Sequence, residues 1–124
     1  MYRLLILVFS IILISSCTSK EKPELRLSAD IYDFGNIHKD SIYQGSTIIK
    51  NTGGTPLVIR SIEPDCGCTD VSLSKMTILP NDTSLMNFSF KTFNKYGKQE
   101  NYICIIANTD SLIHLLQINA YIEE

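Results

Sequence analysis

What most constrains this chain is a two-residue rhythm of apolar side chains that runs through nearly all of it. Leu25, Leu27, Ala29 and Ile31 alternate with other residues, as do Met86, Phe88 and Phe90, and again His114, Leu116, Ile118, Ala120 and Ile122. A period of two puts successive side chains on opposite faces of an extended backbone, so each segment reads as a half-buried strand. Between these lie Tyr43–Lys50, Leu57–Ile62, a short Thr69–Leu73, and Tyr102–Ala107, which is apolar on both faces and suits a central strand. Turn chemistry separates them. Asn51-Thr52-Gly53-Gly54-Thr55-Pro56 and Ile78-Leu79-Pro80-Asn81-Asp82 are rich in residues that tolerate positive φ or preset it. Seven short strands and no amphipathic helix predict an all-β fold, a seven-stranded immunoglobulin-like β-sandwich spanning 25–124. The tryptophan and the spaced cysteine pair of antibody domains are missing, so the sandwich is expected to be a divergent one.

The strand pattern is preceded by something different. Arg3 opens a short apolar run, Leu4 to Ile14, closed by Ser15-Ser16-Cys17. A cationic start and an apolar run well below the roughly 20 residues of a membrane-spanning helix make a secretory signal. A cysteine stands where a cleavage site is expected. Residues 1–16 therefore resemble a cleaved lipoprotein signal, and Cys17 the acylated first residue of the mature chain. Residues 17–24 are polar, charged and broken by Pro23, and read as a tether. The expected address is the bacterial cell envelope, lipid-anchored and on the outer membrane.

Charge excludes some partners. The chain has 11 Lys and Arg against 13 Asp and Glu, net −2, with its cations scattered. Nucleic acid needs clustered cations to neutralise phosphates, so none is expected as a partner. The membrane contact expected from sequence is the lipid on Cys17 alone, and more than one acyl chain would make it stable.

Four motifs in a fixed order carry a resemblance. They are Asp33-Phe34-Gly35-Asn36-Ile37; Asn51-Thr52-Gly53 followed by Pro56-Leu57; Asp65-Cys66-Gly67-Cys68-Thr69; and Ala107-Asn108-Thr109-Asp110. Together they resemble the DUF1573 family over roughly residues 27–122. That resemblance implies an immunoglobulin-like domain similar to those of the ASPM, SPD-2 and Hydin group, and it brings no activity with it. The chain departs from the pattern at Cys104, for which the family suggests no role.

Cys66-Gly67-Cys68 is the one constellation with chemical potential. Alternate residues have Cα atoms near the upper end of the disulfide range, and Gly67 can bend to bring them closer. A small-ring disulfide, a soft-metal site suited to Cu(I), and a pair of packed thiols with Cys104 as partner of one all fit the spacing. Glu63, Asp65 and Asp70 flank the pair, and carboxylates raise a thiol's pKa, which disfavours nucleophilic or oxidoreductase work. No catalytic residues and no cofactor are expected. His38 falls in a polar turn, His114 shares the apolar phase of its strand, and neither belongs to a Ser-His-Asp or metal spacing. Ser41 and Ser111 each sit in an Asp-Ser-aliphatic triplet of the kind O-glycosylated by some Gram-negative anaerobes.

The function expected is a non-catalytic protein-binding or scaffolding module with an envelope protein as partner. Thiol-disulfide or copper handling through Cys66 and Cys68 is the alternative. Phe34 and Gly35 are read as a sandwich-end anchor and a turn, and Asn51 as a loop-bracing side chain. The contact surface is placed on Asp65, Gly67 and Thr69, with the Asn51–Pro56 loop, including Asn51, as its neighbour.

Overall fold

The structure, a computed structural model, describes residues 22–124; the signal and Cys17 lie outside the described residues. Nine strands form two sheets: β1 (Leu25–Leu27), β2 (Ile31–His38), β3 (Ile42–Asn51), β4 (Leu57–Pro64), β5 (Thr69–Leu73), β6 (Thr77–Ile78), β7 (Thr83–Lys91), β8 (Gly97–Ala107) and β9 (Ile113–Glu123). One sheet has the order β1-β3-β7-β5 and the other β2-β9-β8-β4-β6. The all-β sandwich is as expected, but the count is nine rather than seven.

The two extra strands have physical origins. The rhythm from Leu25 to Ile31 reads as one strand, yet the chain changes sheets within it. Ser28 donates its backbone N–H to Ile48 O on β3, whereas Asp30 O accepts from Gln117 N on β9. So β1 lies antiparallel to β3 and β2 parallel to β9. A periodicity that continues in phase cannot reveal a strand that switches partners. The other addition, β6, pairs only Ile78 with Leu57 and Thr77 with Val58, too short to leave a pattern.

Phe34-Gly35 is not a turn. Gly35 has φ +70° inside β2, where the β9 register shifts between Asp33 and Asn36, and its N–H is held by Asp33 Oδ1 at 2.8 Å. This is a bulge that only glycine enters without steric cost. Phe34 packs inward, its ring 6.0 Å from Phe90 in a stacked arrangement and 4.9 Å from Tyr32 edge-on.

The core takes one side chain in two from each sheet. Ile49, Met86, Leu57, Ile103, Ile105, Leu116 and Ile118 form its main part, and Phe90, Ile37, Ala120 and Ile122 a smaller part toward one end. β8 is the middle strand of its sheet, but its outer side chains, Tyr102, Cys104 and Ile106, remain only half-buried because no third layer covers them.

Candidate functional site

The strand directions sort the loops into two ends. Asn51, the start of β4, the 79–82 turn and the β8–β9 turn lie at one end with Lys22; the 38–42, 64–69 and 92–96 segments lie at the other. Sequence reading made the Asn51–Pro56 and Glu63–Asp70 loops neighbours. They are held apart by β4, which runs from the Asn51 end to mid-sheet, after which Thr69 returns opposite Phe90 near the far end of β7.

At the far end, Cys66 and Cys68 are joined by a disulfide with Cα atoms 5.1 Å apart. Asp65 N–H donates to Tyr102 O at 2.9 Å, Thr69 N–H to Cys66 O at 3.2 Å, and Lys91 N–H to Cys68 O at 2.8 Å. The ring is thus fastened to both sheets at the crossover from β4 to β5. Cys68 packs on the Phe34, Tyr43 and Phe90 cluster, while Asp65 and Gly67 are exposed. Cys104 is free and sits mid-sheet opposite Glu63 and Leu115, so it is not the partner of either. Lys91, far away in sequence, pairs with Asp70 at 2.7 Å and neutralises one of the flanking carboxylates. Among the described residues no group of three or more His, Cys, Asp or Glu is placed to hold a metal.

Thr69 is 3% exposed and Asn51 0% exposed, which corrects both as partner contacts: a side chain removed from solvent has nothing to offer a partner. Exposed at the same end as the disulfide are Phe93, 48%, and Tyr96, 74%, on the β7–β8 connection. Two aromatics within Phe93-Asn94-Lys95-Tyr96-Gly97, a stretch of turn residues, were the available signal. Asn94 at φ 57° and Gly97 at φ 73° shape that connection.

Asn51 does something else. Its side-chain oxygen accepts from Gly53 N–H (3.0 Å) and Glu24 N–H (3.3 Å), and its amide donates to Thr55 O (2.8 Å) and Ile78 O (2.9 Å). One buried amide thereby ties three segments together: the incoming chain at Glu24, the 52–56 loop and the end of β6. The loop also holds the incoming chain: Gly54 N–H donates to Lys22 O at 3.0 Å and Thr52 N–H to Glu24 O at 2.9 Å. A Cβ on Gly53 would run into the backbone of Lys22, Pro23 and Glu24, so glycine is required here by close approach. Lys22 to Glu24, read as free tether, are docked.

The histidines form no catalytic set. His38 is exposed, with Nδ1 3.8 Å from a Glu123 carboxylate oxygen. His114 Nε2 lies 2.7 Å from Thr109 Oγ1, a hydroxyl–imidazole pair that sequence spacing did not suggest. Thr109 spends its single hydroxyl proton on Ser111 O at 2.6 Å, so the imidazole is the donor to Thr109. That is the reverse of what a general base does. Burial pushes the His114 pKa down, offset in part by the Ser111 backbone. Of the two candidate glycosylation serines, Ser111 is exposed, whereas Ser41 is half-buried with its hydroxyl bonded to Lys39 O. On the outer face of the four-stranded sheet, a shallow depression of about 650 Å³ is lined by Gln44, Ser46, Ser72, Asn87 and Ser89 with the paired Asp70, a set without a free base or nucleophile pair.

Comparison with known proteins agrees with this architecture. The family model for a protein of unknown function, DUF1573, matches residues 25–122. No curated protein matches. Among solved structures, a protein of unknown function from Porphyromonas gingivalis W83 is similar at TM-score 0.71 and 16% identity, over 88% of this chain and 51% of that one. The chain thus spans about half of that protein's length. The ASH/PapD-like domain 7 of human CEP192 is similar at TM-score 0.58 and 11% identity, over 90% of this chain and 94% of that one. Part of the Vibrio cholerae VesB protease is similar at TM-score 0.62 and 9% identity, over 84% of this chain and 32% of that one. At these identities the likeness is one of fold alone.

Proposed function

The chain belongs to the DUF1573 family, and from that premise we propose that it is a non-catalytic binding module of the bacterial cell envelope, anchored to the outer membrane through lipid on Cys17 and engaging a protein partner with the cysteine end. The observation that carries this reading is the exposure of Phe93 and Tyr96 on the β7–β8 connection, at the end of the sandwich farthest from the tether and the same end as the Cys66–Cys68 ring. Aromatic anchors next to a fixed backbone are the usual energetic centre of a protein contact, because a large apolar area is buried at little entropic cost. Asp65 and Gly67 contribute a polar rim to the same surface. Neither cofactor nor metal enters this reading.

A photo-crosslinking residue placed at Tyr96 in the intact lipoprotein tests it. One envelope protein is expected to be captured from Tyr96 and not from Gln44 on the outer sheet face, and the adduct is expected to fall at least about tenfold in Phe93→Ser. Equal capture from both positions would remove the cysteine end as the contact surface. The formed disulfide keeps the thiol reading as the second one. Insulin reduction by the chain, abolished by Cys66→Ser, would replace the binding module with a thiol-exchange protein.

A further inference from the structure

We infer that the tether end of the sandwich is itself a lipid-contacting surface, on which the exposed aliphatics Leu112, Ile113 and Leu79 rest in the headgroup region of the membrane that anchors the chain. The inference rests on the proposed lipidation of Cys17 and adds to it a second contact, made by the folded domain.

The place where the chain enters carries the argument. Lys22 is pinned at this end twice, by Gly54 N–H on its carbonyl and by an ion pair of its Nζ with Asp110 at 3.1 Å. Five residue steps separate it from Cys17, so the lipidated Cα lies within about 18 Å of Lys22 even if that stretch is fully extended. A docked Lys22 therefore turns this end, and no other, toward the bilayer.

The side chains found there suit that neighbour. Leu112 is 56% exposed, Ile113 57% and Leu79 57%, all on or beside the turns that flank Lys22. Exposed aliphatics at one end of a fold, here in two turns and at the first residue of β9, gain from the interfacial region, where apolar side chains bury several ångströms into the headgroup and acyl boundary. The acidic groups at this end are balanced. Asp110 is paired with Lys22, and Asp82 with Lys75 at 2.9 Å, so neither carboxylate presents an uncompensated charge to an anionic surface. The exposed aromatics Phe93 and Tyr96 are at the other end, at a remove set by the 11-residue strands β8 and β9, roughly 35 Å. The sandwich then stands with its strands along the membrane normal and its cysteine end outermost.

The chain has no tryptophan, so one introduced residue reports its own surroundings. The lipidated protein carrying Leu112→Trp, and separately Phe93→Trp, is reconstituted into phosphatidylethanolamine–phosphatidylglycerol vesicles with and without dibrominated acyl chains. Brominated lipid is expected to quench Leu112→Trp at least about twofold and to leave Phe93→Trp unchanged. Co-sedimentation of the protein with vesicles, read on the same samples, separates the two layers of the claim. Protein that sediments while Leu112→Trp stays unquenched overturns the surface contact and leaves the anchor standing. Failure to sediment overturns both. Shielding of Leu112→Trp from an aqueous quencher without any effect of bromine would show that protein covers this end, and would overturn the lipid contact as well.

Discussion

The two ends of this sandwich are built on different principles. The tether end is organised by one buried amide: Asn51 satisfies backbone groups from Glu24, Gly53, Thr55 and Ile78, and the surface above it is aliphatic. The cysteine end is organised by a covalent ring lying on an aromatic cluster, with exposed aromatics on the β7–β8 connection at the same end. A hydrogen-bonded hub is indispensable, because removing it strands several buried polar groups at once. A one-residue disulfide ring shapes a loop and constrains little of the unfolded chain. By that contrast the covalent bond is expected to be the lesser of the two structural supports, and the proposed recognition surface falls at the end expected to contribute less to stability.

Asn51→Ala is the strongest way to break that comparison. Four buried or half-buried partners lose their bonds, and a loss of about 3 kcal/mol or more is expected in a urea melt. A loss below about 1 kcal/mol would mean that water replaces the amide and that the hub is not one.

The double change Cys66→Ser with Cys68→Ser addresses the other end. Its expected cost is about 1 kcal/mol, with a cooperative transition retained, since the closed loop is far shorter than the roughly 15 residues that give about 3 kcal/mol. An unfolded double mutant would reverse the ranking of the two ends.

The smallest effect is in pH. Burial holds the His114 pKa below the ordinary 6.5, so the unfolded chain takes up the proton first as pH falls. The stability contributed by the neutral imidazole is whole above about pH 6.5 and drains away as pH drops through it. Melting temperatures of the wild type are expected to fall by a few degrees at most between pH 7.5 and 5.5, and by less in His114→Gln. Parallel curves would detach the tether-end turn that holds Thr109 and His114 from this titration.

Much of the fold could be read in advance because alternation is a local signal with a physical cause. Thr69–Leu73 is β5 with the same bounds, and Leu116 and Ile118 fill the core that their alternation predicts, whereas the run Tyr102–Ala107, apolar on both faces, buries only Ile103, Ile105 and Ala107 fully. The candidate site was less legible. Cys66 and Cys68 could be singled out from spacing, but three states of their sulfurs fitted the same three residues. Asn51 was read both as a loop brace and as a contact, and its total burial selects the first. Phe93 and Tyr96 carry no decisive signal, because aromatics in a turn look the same in sequence whether they fold back or stand in solvent.

By itself the sequence determined the layered β architecture, the family and most of the turns, though not the bulge at Gly35, since periodicity, glycine and proline act within a few residues of themselves. Tertiary structure alone decided which loops share an end, that Lys91 neutralises Asp70, that the rhythm around Ala29 hides a change of sheet, and that Lys22 is pinned against Gly54. Those facts depend on strand order and direction. Residues far apart along the chain meet only after pairing has chosen their neighbours, and a period of two is the same whichever neighbour is chosen.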